Sequence, residues 1–465
     1  MKIITEILAA AMLGLGMYAG IFFMRRLSSL IYPHCMLILA TSVYFGGGVI
    51  ATFYSNSESA IEHEMFDAGI TYGYLAYATA LVFLWLWVIH LVCVNMFAAQ
   101  TSIPARTVRV ALVRSSQAKT FYAASAVAGL LQIYLYLNNK LNYMGVQTQI
   151  DSYRISRVAA LIVPVSIGIL LLSGFRFVGL RRRIPTALVI IAQLALIAPQ
   201  GRRLFVVAVF LTLLGIAFAN PSRKLIFSVS LVAMVLVPVF TFSFYILRVA
   251  SYTVEKNASL VDLMDEARQQ TIYDSSTVLD ALQENLKSRS FGLAEYVAML
   301  TASPRENIGA LGRTLLLDAT RAIPSMLLPT KDDFIDEAPE DVAYQYLSLT
   351  RDQDEANSLA SDFYTDFREP GLVAAIAFFI IWVRVSQWMM AKTRLPFFQV
   401  VILAFSLQTC LLVECDASNY MLAIRNSMIF LLVAFAFHLI IRQPHAKLSP
   451  LPLLSAKHDG KQLAK

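Results

Sequence analysis

Long apolar runs, broken by short basic or acidic patches, dominate the chain from its first residues to position 441. Runs near 3–24, 30–54, 72–97, 118–137, 158–176, 184–199, 204–219, 225–247, 370–390, 396–414 and 419–441 approach the ~20 residues that a helix needs to cross hydrocarbon. They predict an all-α polytopic membrane protein with about eleven transmembrane helices. The sixth and seventh runs are short enough to form a tilted or partly re-entrant pair. The first is longer than a signal-peptide core and ends in Arg25-Arg26 with no small-residue cleavage site, so it reads as a span.

Between 248 and 369 the pattern changes, which divides the chain into helices one to eight (1–247), a large hydrophilic segment (248–369), the last three helices (370–441) and a tail (442–465). A segment of this length either works or carries its own structure. Leu260, Leu263, Met264 and Ala267, then Val278, Leu279, Leu282 and Leu286, recur at helical spacing and predict an amphipathic helix over 259–286. A second helix is expected over 292–301. A third, over 307–322, carries the Leu315-Leu316-Leu317 run and suits a membrane surface; Pro324 and Pro329 then stop it. The acid-rich stretch 330–341 reads as solvated loop.

Composition agrees with this pattern. Charged residues make up 15% of the chain and hydrophobic ones 57%, against roughly 25% charged in soluble domains, so a soluble class is excluded. Positive charge fixes an expected orientation. Arg25-Arg26, then Arg106, Arg109, Arg114 and Lys119, then Arg181-Arg182-Arg183, Arg223-Lys224, and Lys392 with Arg394 fall in alternate loops. Those loops and the C-terminal tail are read as cytoplasmic, with the N-terminus and the 248–369 segment outside. No internal repeat supports an inverted-repeat transporter. Cys35, Cys93, Cys410 and Cys415 have no metal-site spacing and read as inert. No histidine lies within 248–369, and HExxH, P-loop and nucleophile-elbow patterns are absent. Glu62 and Glu64 offer two carboxylates to a divalent cation, but a solvated negative loop is the simpler reading.

Several arginines sit against the orientation rule. Arg154 and Arg157 precede the fifth run at its outer end, Arg202 and Arg203 occupy the outer turn before the seventh, Arg248 closes the eighth, and Arg425 lies about two turns into the last. Any one of them alone can snorkel or pair, Arg425 with Asp416 or Glu414. As a set at one membrane level they point to a shared anion at the outer leaflet. Arginine's fork matches phosphate oxygens, so a lipid-linked phosphate or diphosphate fits. Arg321, in the third predicted helix, joins this candidate set.

Local motifs add a resemblance. Gly201-Arg202-Arg203 opens a span. Ile323-Pro324-Ser325-Met326-Leu327-Leu328-Pro329-Thr330-Lys331 lies in the long segment, followed by Asn357 and Ser361-Asp362-Phe363-Tyr364-Thr365-Asp366-Phe367 leading to Gly371. Together with the topology these resemble the O-antigen or oligosaccharide repeat-unit polymerases, membrane-embedded glycosyltransferases of the C type. The family usually has Phe-Gly-x-x-Gly where this chain has Phe367-Arg368-Glu369-Pro370-Gly371, so one glycine is replaced by Arg368.

The resemblance implies a polymerase of the bacterial inner membrane with its active site facing the periplasm. It would transfer a glycan from an undecaprenyl-diphosphate-linked donor to a lipid-linked acceptor repeat unit. A flippase and a chain-length regulator are the expected partners, and no nucleic acid, metal or cofactor is expected. The arginines would hold the diphosphate, and a carboxylate would take the acceptor proton, because no other base is present in the segment. Asp362 and Asp366, nearest the membrane end of the segment, are the candidate bases, with Arg425 the third catalytic candidate. The rival readings are a metal-dependent glycosyltransferase using a polyprenyl-monophosphate sugar, and a non-catalytic exporter or flippase. The related ligases are disfavoured because they use a loop histidine.

Overall fold

The computed structural model describes residues 1–25, 33–53, 69–97, 115–138, 153–177, 180–219, 291–304, 308–324, 327–328, 339–347, 357–393 and 396–441, with scattered positions between 231 and 269. Among the described residues all regular structure is helical. Helix α1 is Lys2–Arg25, and α2 (Pro33–Thr41) runs through a π-helical turn, Ser42–Gly46, into α3 (Gly47–Phe53). Next come α4 (Tyr72–Phe97), α5 (Ser115–Leu137), α6 (Tyr153–Arg176), α7 (Leu180–Ile197) and α8 (Arg202–Ala219). The long segment contributes α9 (Phe291–Ala302), α10 (Arg313–Ala322), α11 (Pro339–Leu347) and α12 (Leu359–Phe367). Then follow α13 (Glu369–Lys392), α14 (Pro396–Leu411) and α15 (Ala417–Ile441).

Among the described residues, five helices are long and apolar enough to cross a membrane: Lys2–Phe23, Pro33–Ala51, Tyr72–Met96, Arg183–Gln200 and Glu369–Lys392. The shorter apolar helices Phe121–Leu137, Leu161–Arg176, Arg203–Phe218, Phe397–Leu411 and Ala417–Val433 fall on other predicted runs. The eighth run lies mostly outside the described residues, although its described positions are helical. Polarity is turned outside in. Ile7, Leu130, Ile184, Leu188, Val373 and Leu432 are exposed, while Thr79, Gln132, Ser166, Gln193 and Thr212 are buried. An apolar exterior suits lipid, and buried polar groups then join helices to one another. Gln132 does this by donating to Ser166 Oγ on α6 and to Gln193 Oε1 on α7, the latter at 3.3 Å.

Contacts at the helix ends mark the two ends of the bundle. One end of the bundle gathers Lys2 over the Phe53 ring at 5.3 Å, Phe53 against Tyr72 at 5.7 Å, and the Tyr77 hydroxyl donating to Glu369 at 3.1 Å. The opposite end gathers Phe23 and Phe175 against Phe218, at 6.1 and 5.6 Å, and the Arg176 guanidinium over Phe121 at 4.8 Å.

The long segment does not simply lie across the end of this bundle. Helix α9 is buried along nearly its whole length, and the Thr301 hydroxyl reaches the carbonyl of Tyr74 at 3.4 Å. Its other end lies with Leu293 and Val297 on a crevice shared with Val82 and Trp85 of α4 and Phe45 of the π turn. Trp85 is eleven residues from Tyr74, about 16 Å along a helix, so α9 descends beside α4 into the bundle. The expected second helix of the segment is therefore present but internal. The expected third helix starts at Arg313, not at 307, because Gly309, Leu311 and Gly312 take φ values of 86°, 52° and 88° that break helical geometry. The predicted helix over 259–286 lies outside the described residues.

Helices α6 and α8 cross at their glycines. A Cβ on Gly215 would lie 2.2 Å from the Leu171 carbonyl oxygen, and one on Gly174 would lie 2.5 Å from that of Thr212. Backbones this close tolerate no side chain. Gly215→Leu is expected to abolish the monodisperse peak in detergent size-exclusion chromatography. Gly14→Ala, where an added Cβ meets nothing within 4 Å, should leave it intact.

Candidate functional site

Helix α12 opens with a capping box: Ser358 Oγ accepts the Ser361 N–H at 3.3 Å, and Ser361 Oγ accepts the Ser358 N–H at 2.7 Å. The helix then runs outward and turns sharply into α13. The turn residue, Arg368, has φ 57° and ψ −141°, a conformation that glycine adopts freely. Here the arginine holds it. Its guanidinium donates to the Leu300 carbonyl at 3.0 Å, to Ser303 Oγ at 2.8 Å and to the Pro304 carbonyl, which caps the C-terminal end of α9. Strain at such a residue costs about 1–3 kcal/mol. Each hydrogen bond to a charged group contributes about 1.5–3 kcal/mol, so the side chain outweighs the strain. Close to the turn, a Cβ on Gly371 would lie 1.9 Å from the Phe363 carbonyl oxygen, so α12 and α13 pack backbone to backbone.

The two candidate bases occupy different settings. Asp366 is buried and caps α10 from another helix: Oδ1 accepts the Thr314 N–H and Oδ2 the Leu315 N–H, both at 3.0 Å. In return the Ala310 and Leu311 N–H groups donate to the Thr365 and Asp366 carbonyls, at 3.0 and 2.9 Å. Gly309 permits that approach, since a Cβ there would sit 2.6 Å from the Asp366 carbonyl oxygen. Burial raises the Asp366 pKa, and the α10 N–H groups partly offset the rise.

Asp362, one turn earlier, accepts the Ala417 N–H at the start of α15 on Oδ2, at 2.7 Å. It also lies close enough to Asp318 of α10, a residue that the sequence reading did not single out, for the two carboxyl groups to act on each other electrostatically. Asp318 is fully buried, and neither of its oxygens meets a protein donor among the described residues. Neighbouring carboxylates repel when both are charged, which favours the protonated form of the pair. Burial, and then the neighbouring Asp416, push the Asp318 carboxyl up to about 8, with Arg321 and the contact to Asp362 opposing. Burial, then Asp318 and Asp416, hold Asp362 well above the usual carboxylate range. Asp416 itself caps α15, accepting from the Ser418 hydroxyl at 2.7 Å and the Asn419 N–H at 2.9 Å.

Positive charge borders this cluster. Arg321 lies one turn from Asp318 on α10 and acts on it electrostatically. Arg425 donates to the Ala322 carbonyl at 3.3 Å and to Asn426 Oδ1 at 3.3 and 3.2 Å, so it supports the C-terminal end of α10. Arg203 forms an ion pair with Glu414, whose other oxygen accepts from the Tyr44 hydroxyl at 2.9 Å. The π-helical turn carries that tyrosine, and Arg203 also lies 5.8 Å from its ring. The loop 412–416 thus has Arg203 on one residue and the carboxyl cluster two residues on. Arg202 begins α8, and Arg154 and Arg157 lie in the first turns of α6; their side chains are outside the described set, as is Arg248 entirely. Glu62 and Glu64 are also outside it.

The raised pKa of Asp318 has a measurable consequence. Between the ordinary 3.8 and about 8, folded Asp318 keeps a proton that the unfolded chain has released. Stability is therefore lost as pH rises through that window. Detergent melting temperatures should fall from about pH 5 to about pH 8. Asp318→Asn, which supplies a permanent amide donor to Asp362, should flatten the decline. An equally steep decline in the variant would remove Asp318 from the account. No family model, curated protein or solved structure matches this chain, so the cluster is read from its chemistry alone.

Proposed function

We propose that this chain is a membrane-embedded glycosyltransferase that joins undecaprenyl-diphosphate-linked oligosaccharide units into a polymer at the outer face of a bacterial inner membrane. The observation that carries the reading is the Asp318–Asp362 pair, buried where the long segment meets the start of α15 and bordered by Arg321 and Arg425. Sequence motifs in the same region resemble those of repeat-unit polymerases. The alternating Lys/Arg loops favour the periplasmic side for this end of the bundle.

In this reading an acceptor hydroxyl oxygen attacks the anomeric carbon of the donor glycan, and the bond from that carbon to the diphosphate oxygen breaks. The diphosphate leaves with the electron pair, and Asp362 takes the hydroxyl proton. Asp318 raises the proton affinity of that carboxylate, and Arg321 and Arg425 stabilise the leaving diphosphate. Asp366 is a positioning residue, because both of its oxygens are spent on α10. Helix α10 covers the pair, so substrate access involves movement of α10 away from α12.

Asp362→Asn is expected to abolish polymer while unpolymerised lipid-linked units accumulate at the outer face. Arg425→Lys should recover little of the activity lost in Arg425→Ala, because a point charge does not reproduce the guanidinium fork. Intact polymer in Asp362→Asn would refute the base assignment. Loss of units from the outer face would indicate an exporter, and inactivation by a chelator reversed by a divalent cation would indicate the metal-dependent class.

Orientation is tested separately. A reporter fused after Lys331 should give periplasmic activity, and one after Arg183 or Lys224 cytoplasmic activity. Reversed signals would move the carboxyl cluster to the wrong side for this substrate.

A further inference from the structure

At the opposite end of the bundle from the carboxyl pair, α2 and α4 bring together a different set of side chains. His34 and Cys35 lie in the first turn of α2, and His90 lies on α4. One ligand atom from each, a ring nitrogen from either histidine and the Cys35 Sγ, all fall within 4.8 Å of one another. The three residues are 0%, 0% and 4% exposed. Tyr18 and Phe22 of α1 close the cluster edge-on to the His90 ring, at 5.3 and 5.4 Å. His90 Nδ1 is buried without a hydrogen-bond partner among the described residues.

We propose that His34, Cys35 and His90 form a binding site for one soft transition-metal ion, bound by a thiolate and two imidazoles. Geometry supports this. Metal–sulfur and metal–nitrogen bonds of about 2.3 and 2.0–2.1 Å place a tetrahedral sulfur and nitrogen about 3.6 Å apart. Cys35 Sγ and His34 Nε2 already stand 3.5 Å apart. A His90 ring nitrogen, within 4.8 Å of both, is the third ligand. The donor set, imidazole with thiolate, selects copper or zinc over hard cations.

Charge separates these two ions. Binding displaces the Cys35 thiol proton to solvent, leaving one negative charge among the ligands. Cu⁺ then gives a neutral three-coordinate site, whereas Zn²⁺ leaves a net positive charge in apolar surroundings, which is costly. Zinc reaches neutrality only with a second thiolate. Cys93, one turn from His90 on the same face of α4, is the residue placed to supply it. Copper therefore needs Cys35 alone, and zinc needs both cysteines.

The test uses the full-length protein in detergent under anaerobic, reducing conditions. Cu⁺ and Zn²⁺ are titrated separately against chromophoric chelators. One equivalent of Cu⁺ per chain is expected. Affinity should drop at least about tenfold in Cys35→Ser and His90→Gln, no less than losing an outer-shell partner costs, and be unchanged in Cys93→Ser. If Zn²⁺ binds instead and Cys93→Ser abolishes it, the metal site stands and the occupant is zinc. Unchanged affinity in Cys35→Ser, or no stoichiometric binding of either metal, overturns the proposal. Should the variants fail to fold, X-ray absorption of the metal-loaded parent protein decides. Two imidazole nitrogens with one sulfur for copper, or with two for zinc, support the site, and a shell of sulfur only, or without sulfur, overturns it.

Discussion

The last turn of α12 and the first turn of α10 satisfy each other's backbones, and the contacts around the carboxyl pair depend on that join. Two N–H groups of the 308–312 turn cap the closing carbonyls of α12, while the Asp366 carboxylate caps the opening N–H groups of α10. Helix termini otherwise leave such groups unmet, and a lost cap costs about 1 kcal/mol. The energy is modest, but the geometry it fixes is not. With α10 anchored at this point, Asp318 falls one turn inside the helix, opposite Asp362. Arg425 on the Ala322 carbonyl holds the other end of the helix, and the Ala417 N–H holds Asp362, so the two acidic side chains stay together away from water.

Charge on α10 is arranged to suit its dipole. Asp366 sits at the N-terminal end and Arg425 at the C-terminal end, and each comes from a different helix. The helix is thus held between α12 and α15 by side chains matched to its own partial charges. Arg368 does a similar thing for α9. A side chain at a glycine-favouring position looks like an error in sequence, yet its guanidinium closes the end of a neighbouring helix and offsets the local strain. Arg368 gives up backbone freedom for a cross-link between two parts of the long segment.

Much of this fold was legible because lipid simplifies the pattern. A spanning helix shows as a long uncharged run, so the helical class and most of the apolar helices were readable from hydropathy alone. The long segment was less legible. Helix α9 is short and apolar, and no local signal says whether such a helix lies on the bundle or within it. The turn at 309–312 depends on two glycines that lie inside the stretch expected to be helical from 307. Asp362 and Asp366 stood out as acids near the membrane, but sequence could not separate a cap from a pair of interacting carboxyls, because the difference lies in partners more than forty residues away. Asp318 was hidden for the same reason: within an amphipathic helix, an aspartate three residues before an arginine reads as surface charge. The His34–Cys35–His90 cluster was invisible as a motif, since its members come from two helices.

The arginines carry the last step of the argument. Arg203 is engaged by Glu414, and Arg425 by the closing carbonyl of α10 and by Asn426. A diphosphate offers Arg425 a full negative charge in place of a neutral carbonyl, and charge-assisted bonds are roughly twice as strong. An anion binding there would therefore draw Arg425 away from α10 and weaken the end of the helix that Asp366 does not hold. The same movement would lift Asp318 from Asp362, with Asp318 keeping its proton and Asp362 left as a carboxylate able to accept one from the acceptor. Under the proposed function, donor binding and base activation would be coupled, because one short helix is held by a group that the donor would compete for and covers the group that the acceptor would need.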